Sequence, residues 1–231
     1  MTLNEMIYHR KSCRSFTGVP VDGPVLEAIK AFPMKPLYPE MGVHWEIVSR
    51  EQVKCICPWT TPQLIAIYSE EAEGYLENIG FLFQQMDLYL QTLGLGVCWL
   101  GMGRMNPKTT RQVAGMKFVI MLAFGHPRGD QLRRDRKEFK RKPMEKITDR
   151  PDDRLEPARL APSAVNSQPW HFTHEGDTIH VWCSRKGSRL DAGIALAHLY
   201  AANEENFRFF RTEPVPSLPG HDYVGSCRIG E

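Results

Sequence analysis

The chain has 231 residues, 42% of them hydrophobic and 24% charged, with a formal net charge of +2, which is the make-up of a folded globular protein of one or two domains. Its longest wholly apolar run, residues 118–124, is seven residues long, far short of the roughly 20 that span a bilayer. Asn4, Glu5, His9 and Arg10 stand where a signal peptide would carry its apolar core, so membrane and secreted readings are excluded and a cytoplasmic location is expected.

Residues 3–9 predict a short helix, followed by the polar turn Arg10-Lys11-Ser12-Cys13-Arg14-Ser15 and, after Pro20, a second helix over 25–31. Residues 43–48 alternate and are rich in β-formers, and 63–68 form a more buried apolar run; both predict strands. Ile79, Leu82, Phe83, Met86, Leu90 and Leu93 recur at helical spacing, which predicts a helix over 77–93 ended by Gly94. The apolar run 118–124 predicts a buried strand stopped by Gly125-His126-Pro127. Strands are expected again at 169–172 and 178–182, flanking the turn Glu175-Gly176-Asp177. A long helix over 191–210 and a last strand at 223–225 complete the series.

The order of elements occurs twice. Residues 78–86 align with 191–199 and Trp45-Glu46-Ile47-Val48 with Trp170-His171-Phe172-Thr173, the first copy carrying twelve more residues between these anchors. Charge is also uneven: residues 128–146 hold nine Lys or Arg against four acids, a net of +5. Such a run is either a solvated face or a phosphate-holding segment. With Phe139 its one aromatic, it lacks the stacking platform of a single-strand nucleic-acid binder, and no nucleic-acid partner is expected.

Three segments carry chemistry. In Arg10-Lys11-Ser12-Cys13-Arg14, two guanidinium groups flank a hydroxyl, a set that suits a phosphate. In Pro162-Ser163-Ala164-Val165-Asn166-Ser167-Gln168-Pro169-Trp170, prolines fix a string of small polar groups able to hold the edge of a polar heterocycle. Leu93-Gly94-Leu95-Gly96-Val97-Cys98-Trp99-Leu100-Gly101 follows a helix instead of opening one, so it is no dinucleotide fingerprint. Its Gly101 allows a flat ligand to approach the backbone, and Cys98 reads as a small buried hydrophobe with no evident base. Six cysteines without a C-x-x-C pair, and histidines without ligand spacing, give no metal site.

Together these segments make the chain similar to the FMN-dependent nitroreductase family. Arg10 to Phe16 resembles that family's R-x-S-x-[RK]-x-F signature, and Pro162 to Trp170 its P-S-x-x-N-x-Q-P-W signature. Gly94 to Gly101 resembles its G-L-G-x-C-W-x-G segment. Gly125-His126-Pro127 followed by Lys140-Arg141-Lys142-Pro143 resembles its C-terminal G-x-P and basic-proline pair. The order departs from the family's: the Pro162 segment comes about 150 residues after the first signature, where ordinary members place it close behind. At that earlier place stands Pro36-Leu37-Tyr38-Pro39-Glu40-Met41-Gly42-Val43-His44-Trp45, which keeps the tryptophan and lacks the Ser, Asn and Gln.

The resemblance implies an α+β, nitroreductase-like fold in which antiparallel or mixed sheets pack with long helices. Family members are two-fold dimers with flavin sites at the interface, so the departure implies two diverged half-repeats, 1–150 and 151–231, fused into an intramolecular pseudo-dimer with one surviving site and a monomeric state. By the same resemblance, Arg10, Ser12 and Arg14 hold the FMN phosphate and ribityl, with Lys11 contributing backbone. Arg141 reaches the phosphate, with Lys140 and Lys142 as alternatives. Pro162, Ser163, Ala164 and Asn166 line the isoalloxazine, and Leu100 and Gly101 present backbone N–H near N5 and O4. The activity implied is a ping-pong exchange in which NAD(P)H reduces FMN, which then reduces a nitroaromatic, a quinone or a similar small acceptor, with no catalytic side chain. The alternative is a flavin-binding protein with little turnover.

Overall fold

The computed structural model describes residues 1–57, 61–108, 113–213 and 217–230. Their elements run α1 (Leu3–Ile7), α2 (Gly23–Ala31), β1 (Val43–Ser49), β2 (Val53–Lys54), β3 (Gln63–Ser69), α3 (Tyr75–Thr92), β4 (Gly96–Leu100), β5 (Arg104–Met105), β6 (Lys117–Gly125), α4 (Glu156–Arg159), β7 (Trp170–Glu175), β8 (Thr178–Ser184), α5 (Arg189–Ala202), β9 (Arg208–Phe210) and β10 (His221–Arg228). The fold is α+β, with antiparallel sheets. One sheet has the order β1-β3-β6-β4 and the other β7-β8-β10-β9, while β2 and β5 form a small separate ribbon. In each large sheet a long helix follows the second strand, α3 after β3 and α5 after β8.

Those two long helices occupy the centre. Of α3, the residues from Glu77 to Leu88 are all buried, as are Leu190 to Ala201 of α5, the pattern of helices packed on every side. α3 therefore buries polar groups as well as Ile79, Phe83 and Met86. Each of these apolar side chains contributes about 1.5–3 kcal/mol by leaving water. One core unites α3, α5 and the inner faces of both sheets, from Ile65 and Leu122 to Phe172 and Val181.

Close approach of the two helices depends on glycine. A Cβ at Gly80 would lie 2.1 Å from the Leu190 carbonyl oxygen, and one at Gly193 would lie 2.0 Å from that of Glu77. The two contacts are reciprocal: residues 77 and 80 each stand 113 positions before 190 and 193. Arg189 Nε donates to the buried Glu77 Oε1 at 2.5 Å and ties the same crossing together.

Most predicted elements form where expected. Gly94 follows α3 at φ +79, and its N–H reaches the Gln91 carbonyl, as a left-handed helix stop does. The β7–β8 hairpin pairs Glu175 with Thr178 across a turn at Gly176. The expectation of one helix over 191–210 is corrected: α5 ends at Ala202, where Asn203 Nδ2 takes up the Leu199 carbonyl. The chain then turns so that Phe207 enters the core and 208–210 add an edge strand to β10. No breaker marks this stop, because Asn203 ends the helix through a side-chain bond.

Helix propensity alone predicts that Gly80→Ala stabilises the chain by up to about 1 kcal/mol. The close approach predicts the opposite sign, a loss of about 1–3 kcal/mol from overpacking against backbone. The urea midpoint of the variant decides, and a raised midpoint would contradict the packing described.

Candidate functional site

A two-lobed cleft opens where the turn after α1, the end of β4, the segment 133–141, the loop 162–168 and the start of α5 meet. One lobe, about 290 Å³, is walled by Arg10, Lys11, Ser12, Arg14, Arg133, Arg141, Pro162, Ser163, Val165 and Asn166. The other, about 270 Å³, is walled by Ser12, Arg14, Cys98, Trp99, Gly101, Ile120, Pro162, Ser163, Ala164, Val165, Ser188, Leu190, Asp191 and Ile194. Ser12, Arg14, Pro162, Ser163 and Val165 border both, so the lobes are continuous, and together they fall in the range of about 300–1,000 Å³ usual for small-molecule sites.

The turn is positioned by β4. Ser12 bridges to Val97 in parallel register, and the Cys13 N–H donates to the Val97 carbonyl at 2.8 Å. Arg10 borders the cleft and is also ion-paired from behind. Its guanidinium is buried at 1% exposure and donates through Nε to Asp87 Oδ1 at 3.0 Å and through Nη2 to Oδ2 at 3.3 Å. Asp87 also accepts from Gln91 Nε2 at 2.8 Å and from Gln84 Nε2 at 3.3 Å. Gln84 Oε1 accepts from Trp99 Nε1 at 3.1 Å, and Gln84 Nε2 stands 3.1 Å from His198 Nε2. His198 Nδ1 lies 2.9 Å from the Pro157 carbonyl. The imidazole is therefore neutral, protonated at Nδ1 and accepting at Nε2. Burial and the nearby Arg10 push its pKa down to about 3.

Arg133 donates through Nη1 to the Arg10 carbonyl and stacks over Phe139 at 4.2 Å. Arg141 donates from Nε to the Leu160 carbonyl at 3.2 Å and from Nη1 to Asn166 Oδ1 at 2.6 Å. Burial first, then the charge of Arg10, pushes Arg133 down to about 10 and Arg141 down to about 9. Guanidinium groups keep their protons at neutral pH, so the lobe holds crowded, partly desolvated positive charge. Five of its lining side chains are cationic and none is a carboxylate.

The facing loop is strained and held. Val165, Asn166 and Gln168 have φ of +48°, +58° and +44°, a region that a β-branched residue such as valine enters only under constraint. Asn166 Nδ2 donates to the Lys140 carbonyl at 2.7 Å, and Gln168 Oε1 accepts from the Lys142 N–H at 2.6 Å. The Gln168 N–H donates to Ser163 Oγ at 2.8 Å. Lys142 Nζ is turned back onto the Gln168 carbonyl at 3.0 Å, so of residues 140–142 it is Arg141 that borders the cleft.

Ten of the eleven residues expected at a binding site line this cleft: Arg10, Lys11, Ser12, Arg14, Gly101, Arg141, Pro162, Ser163, Ala164 and Asn166. The exception is Leu100, whose side chain belongs to the cluster with Cys13, Val48 and Met121 and which pairs with Met121 across β4 and β6. Cys98 is buried, and burial pushes its thiol up to about 11, so it stays protonated. Sequence reasoning missed Arg133, Trp99, Ile120, Leu190, Ile194 and Asp191. Arg133 lies in the basic run without belonging to a motif, and Asp191 served there as an alignment anchor with no chemistry attached.

Asp191 is 3% exposed, and the Ala164 N–H reaches its two oxygens at 3.1 and 3.3 Å. Burial raises its pKa to about 6, against that one hydrogen bond. Because the folded value lies above the ordinary 3.8, the folded chain holds the proton more tightly than the unfolded one, and stability falls as pH rises from about 4 to about 6.

Two stability predictions follow from the buried charges. Arg10→Ala strands Asp87 and should cost about 3–5 kcal/mol; Asp87→Asn on that background should recover part of it, both read by urea unfolding. Asp191→Asn should gain about 1–3 kcal/mol above pH 7 and nothing near pH 3, flattening the pH profile between; an unchanged profile would refute the burial penalty.

A known protein shares this architecture. The crystal structure of a "putative nitroreductase" from Thermotoga maritima is 23% identical and superposes with a TM-score of 0.72 over 99% of this chain and 94% of its own, which establishes the common fold. A nitroreductase family protein from Clostridium difficile 630 is 17% identical with a TM-score of 0.48, covering 63% of this chain and 96% of its own. An FMN-dependent nitroreductase from C. difficile R20291 is also 17% identical, with a TM-score of 0.43 over 57% of this chain and 94% of its own. No curated protein matches the sequence significantly. Residues 2–203 match the family model described as "Putative TM nitroreductase", and the chain belongs to that family.

Proposed function

We propose that the chain is an FMN-dependent NAD(P)H oxidoreductase of the nitroreductase type, reducing a small acceptor such as a nitroaromatic or a quinone. The observation that carries this reading is the pairing of a carboxylate-free lobe walled by five cations with an adjoining lobe walled by Trp99, Ile120, Leu190 and Ile194. A phosphate at one end and a flat heterocycle at the other fit these walls, and the names of similar structures are consistent with that pairing. Arg133, Arg141, Arg14, Ser12 and Lys11 would hold the phosphate and ribityl. Arg10 supports them from behind through Asp87. Pro162, Ser163, Ala164 and Asn166 would border the ring, with the backbone N–H groups of Leu100 and Gly101 on its other side.

Bound FMN supplies two-electron hydride chemistry. The protein's share is to orient the ring between β4 and the loop 162–168 and to shield it from water. It also admits NAD(P)H and the acceptor in turn to the apolar lobe, a ping-pong order.

We also propose that residues 1–150 and 151–231 are diverged copies fused into a pseudo-dimer. Its support is the shared order of the two sheets and the reciprocal glycine contacts of α3 and α5. Such a chain holds its composite site alone, as a 26.5 kDa monomer; light scattering on the purified protein reads this directly.

The test is purification with flavin. We expect a yellow protein with one FMN per chain whose colour bleaches anaerobically on adding NAD(P)H; a chain that cannot be loaded refutes the reading. Flavin that loads but never bleaches marks a binder without turnover. Arg141→Ala should weaken FMN by about 1.5–3 kcal/mol, the worth of a charge-assisted hydrogen bond, measured by quenching of flavin fluorescence.

A further inference from the structure

Every two-electron reduction of a quinone or nitro group consumes protons, which must reach the acceptor from the protein or from water. From the cleft's geometry we infer that Asp191 is the acid that protonates the acceptor, a role that rests on the flavin reading. Among the described residues lining the apolar lobe, Asp191 carries the one carboxyl, and it shares that lobe with Trp99, Ile120 and Ile194.

Its surroundings leave it unpaired. On its own helix, Arg189 is committed to Glu77 Oε1 at 2.5 Å and to the Tyr223 carbonyl at 3.3 Å. Glu77 of α3 is already taken up by that pair. From β8, Cys183 contributes a thiol that donates to the Ser188 carbonyl at 3.5 Å and that burial pushes up to about 12. Across the cleft stand Arg14, exposed to solvent, and the buried Cys98. The loop supplies one hydrogen bond, from the Ala164 N–H. A carboxyl so placed keeps its proton up to about pH 6, close to the range in which a general acid works.

For a quinone the step balances as follows. Hydride originating from NAD(P)H leaves a hydroquinone anion. The O–H bond of Asp191 breaks, its proton forms the second O–H of the hydroquinone, and the carboxylate left behind regains a proton from water at the open mouth of the cleft.

Three measurements on the full chain decide. In the flavin-free protein, the infrared band of a protonated carboxyl should titrate near pH 6 and be missing from Asp191→Asn. In the FMN-loaded protein, quinone reduction by the bleached enzyme should slow as pH rises through that value. Asp191→Asn should lower the ratio of the quinone-reducing rate to the NAD(P)H bleaching rate about 10²-fold and abolish the pH limb, which Asp191→Glu should restore. Failure to load flavin overturns the flavin reading and this one with it. A loaded Asp191→Asn enzyme that keeps the parent's ratio and pH limb, or an absent infrared band, overturns the acid role alone.

Discussion

The contact between α3 and α5 governs the rest of the structure. Two helices can approach until a backbone carbonyl of one rests on the other only where no Cβ intervenes, and Gly80 and Gly193 provide that opening from both sides. The approach brings the α5 N-terminus, with Leu190, Asp191 and Ile194, within reach of the β4 end and the turn after α1. The cleft is therefore a by-product of helix packing, and its width is fixed by core contacts that tolerate little change.

Electrostatics then divides the cleft. Asp87 neutralises Arg10 from behind and is itself satisfied by Gln84 and Gln91, so the buried pair forms a complete network instead of a stranded charge. The next two guanidinium groups, Arg133 and Arg141, have no carboxylate lining their lobe and rest on Phe139 and on backbone carbonyls. At the other end Asp191 is a lone acid among apolar walls. One cleft thus presents a strongly positive end and a nearly neutral one some residues away, a gradient suited to a ligand that is charged at one end only.

Much of this was legible in the sequence, for identifiable reasons. The helix over 77–93 and the strand at 43–48 are periodic, the strands at 63–68 and 118–124 are apolar runs, and both patterns report burial directly. Ser12, Arg14, Arg141, Ser163 and Asn166 were legible because short polar motifs keep their spacing. The role of Arg10 was not, since the same motif reads alike whether a guanidinium faces a ligand or Asp87, 77 positions away. Asp191 was hidden for a similar reason: its pairing with Ala164 and the absence of a cation partner are tertiary facts. The end of α5 at Ala202 escaped because an Asn side chain, not glycine or proline, closes it.

The loop carrying Val165, Asn166 and Gln168 keeps three residues in left-handed backbone and is clamped to 140–142 by side chains of the same chain. Because both walls of the cleft belong to one polypeptide, a substitution in this loop alters the cleft once. In a symmetric two-chain assembly the same change would be imposed on two sites simultaneously and would have to suit both. Here selection, or a laboratory library, can reshape one wall while the other stays fixed. Having both walls on one chain makes the loop an independently tunable part.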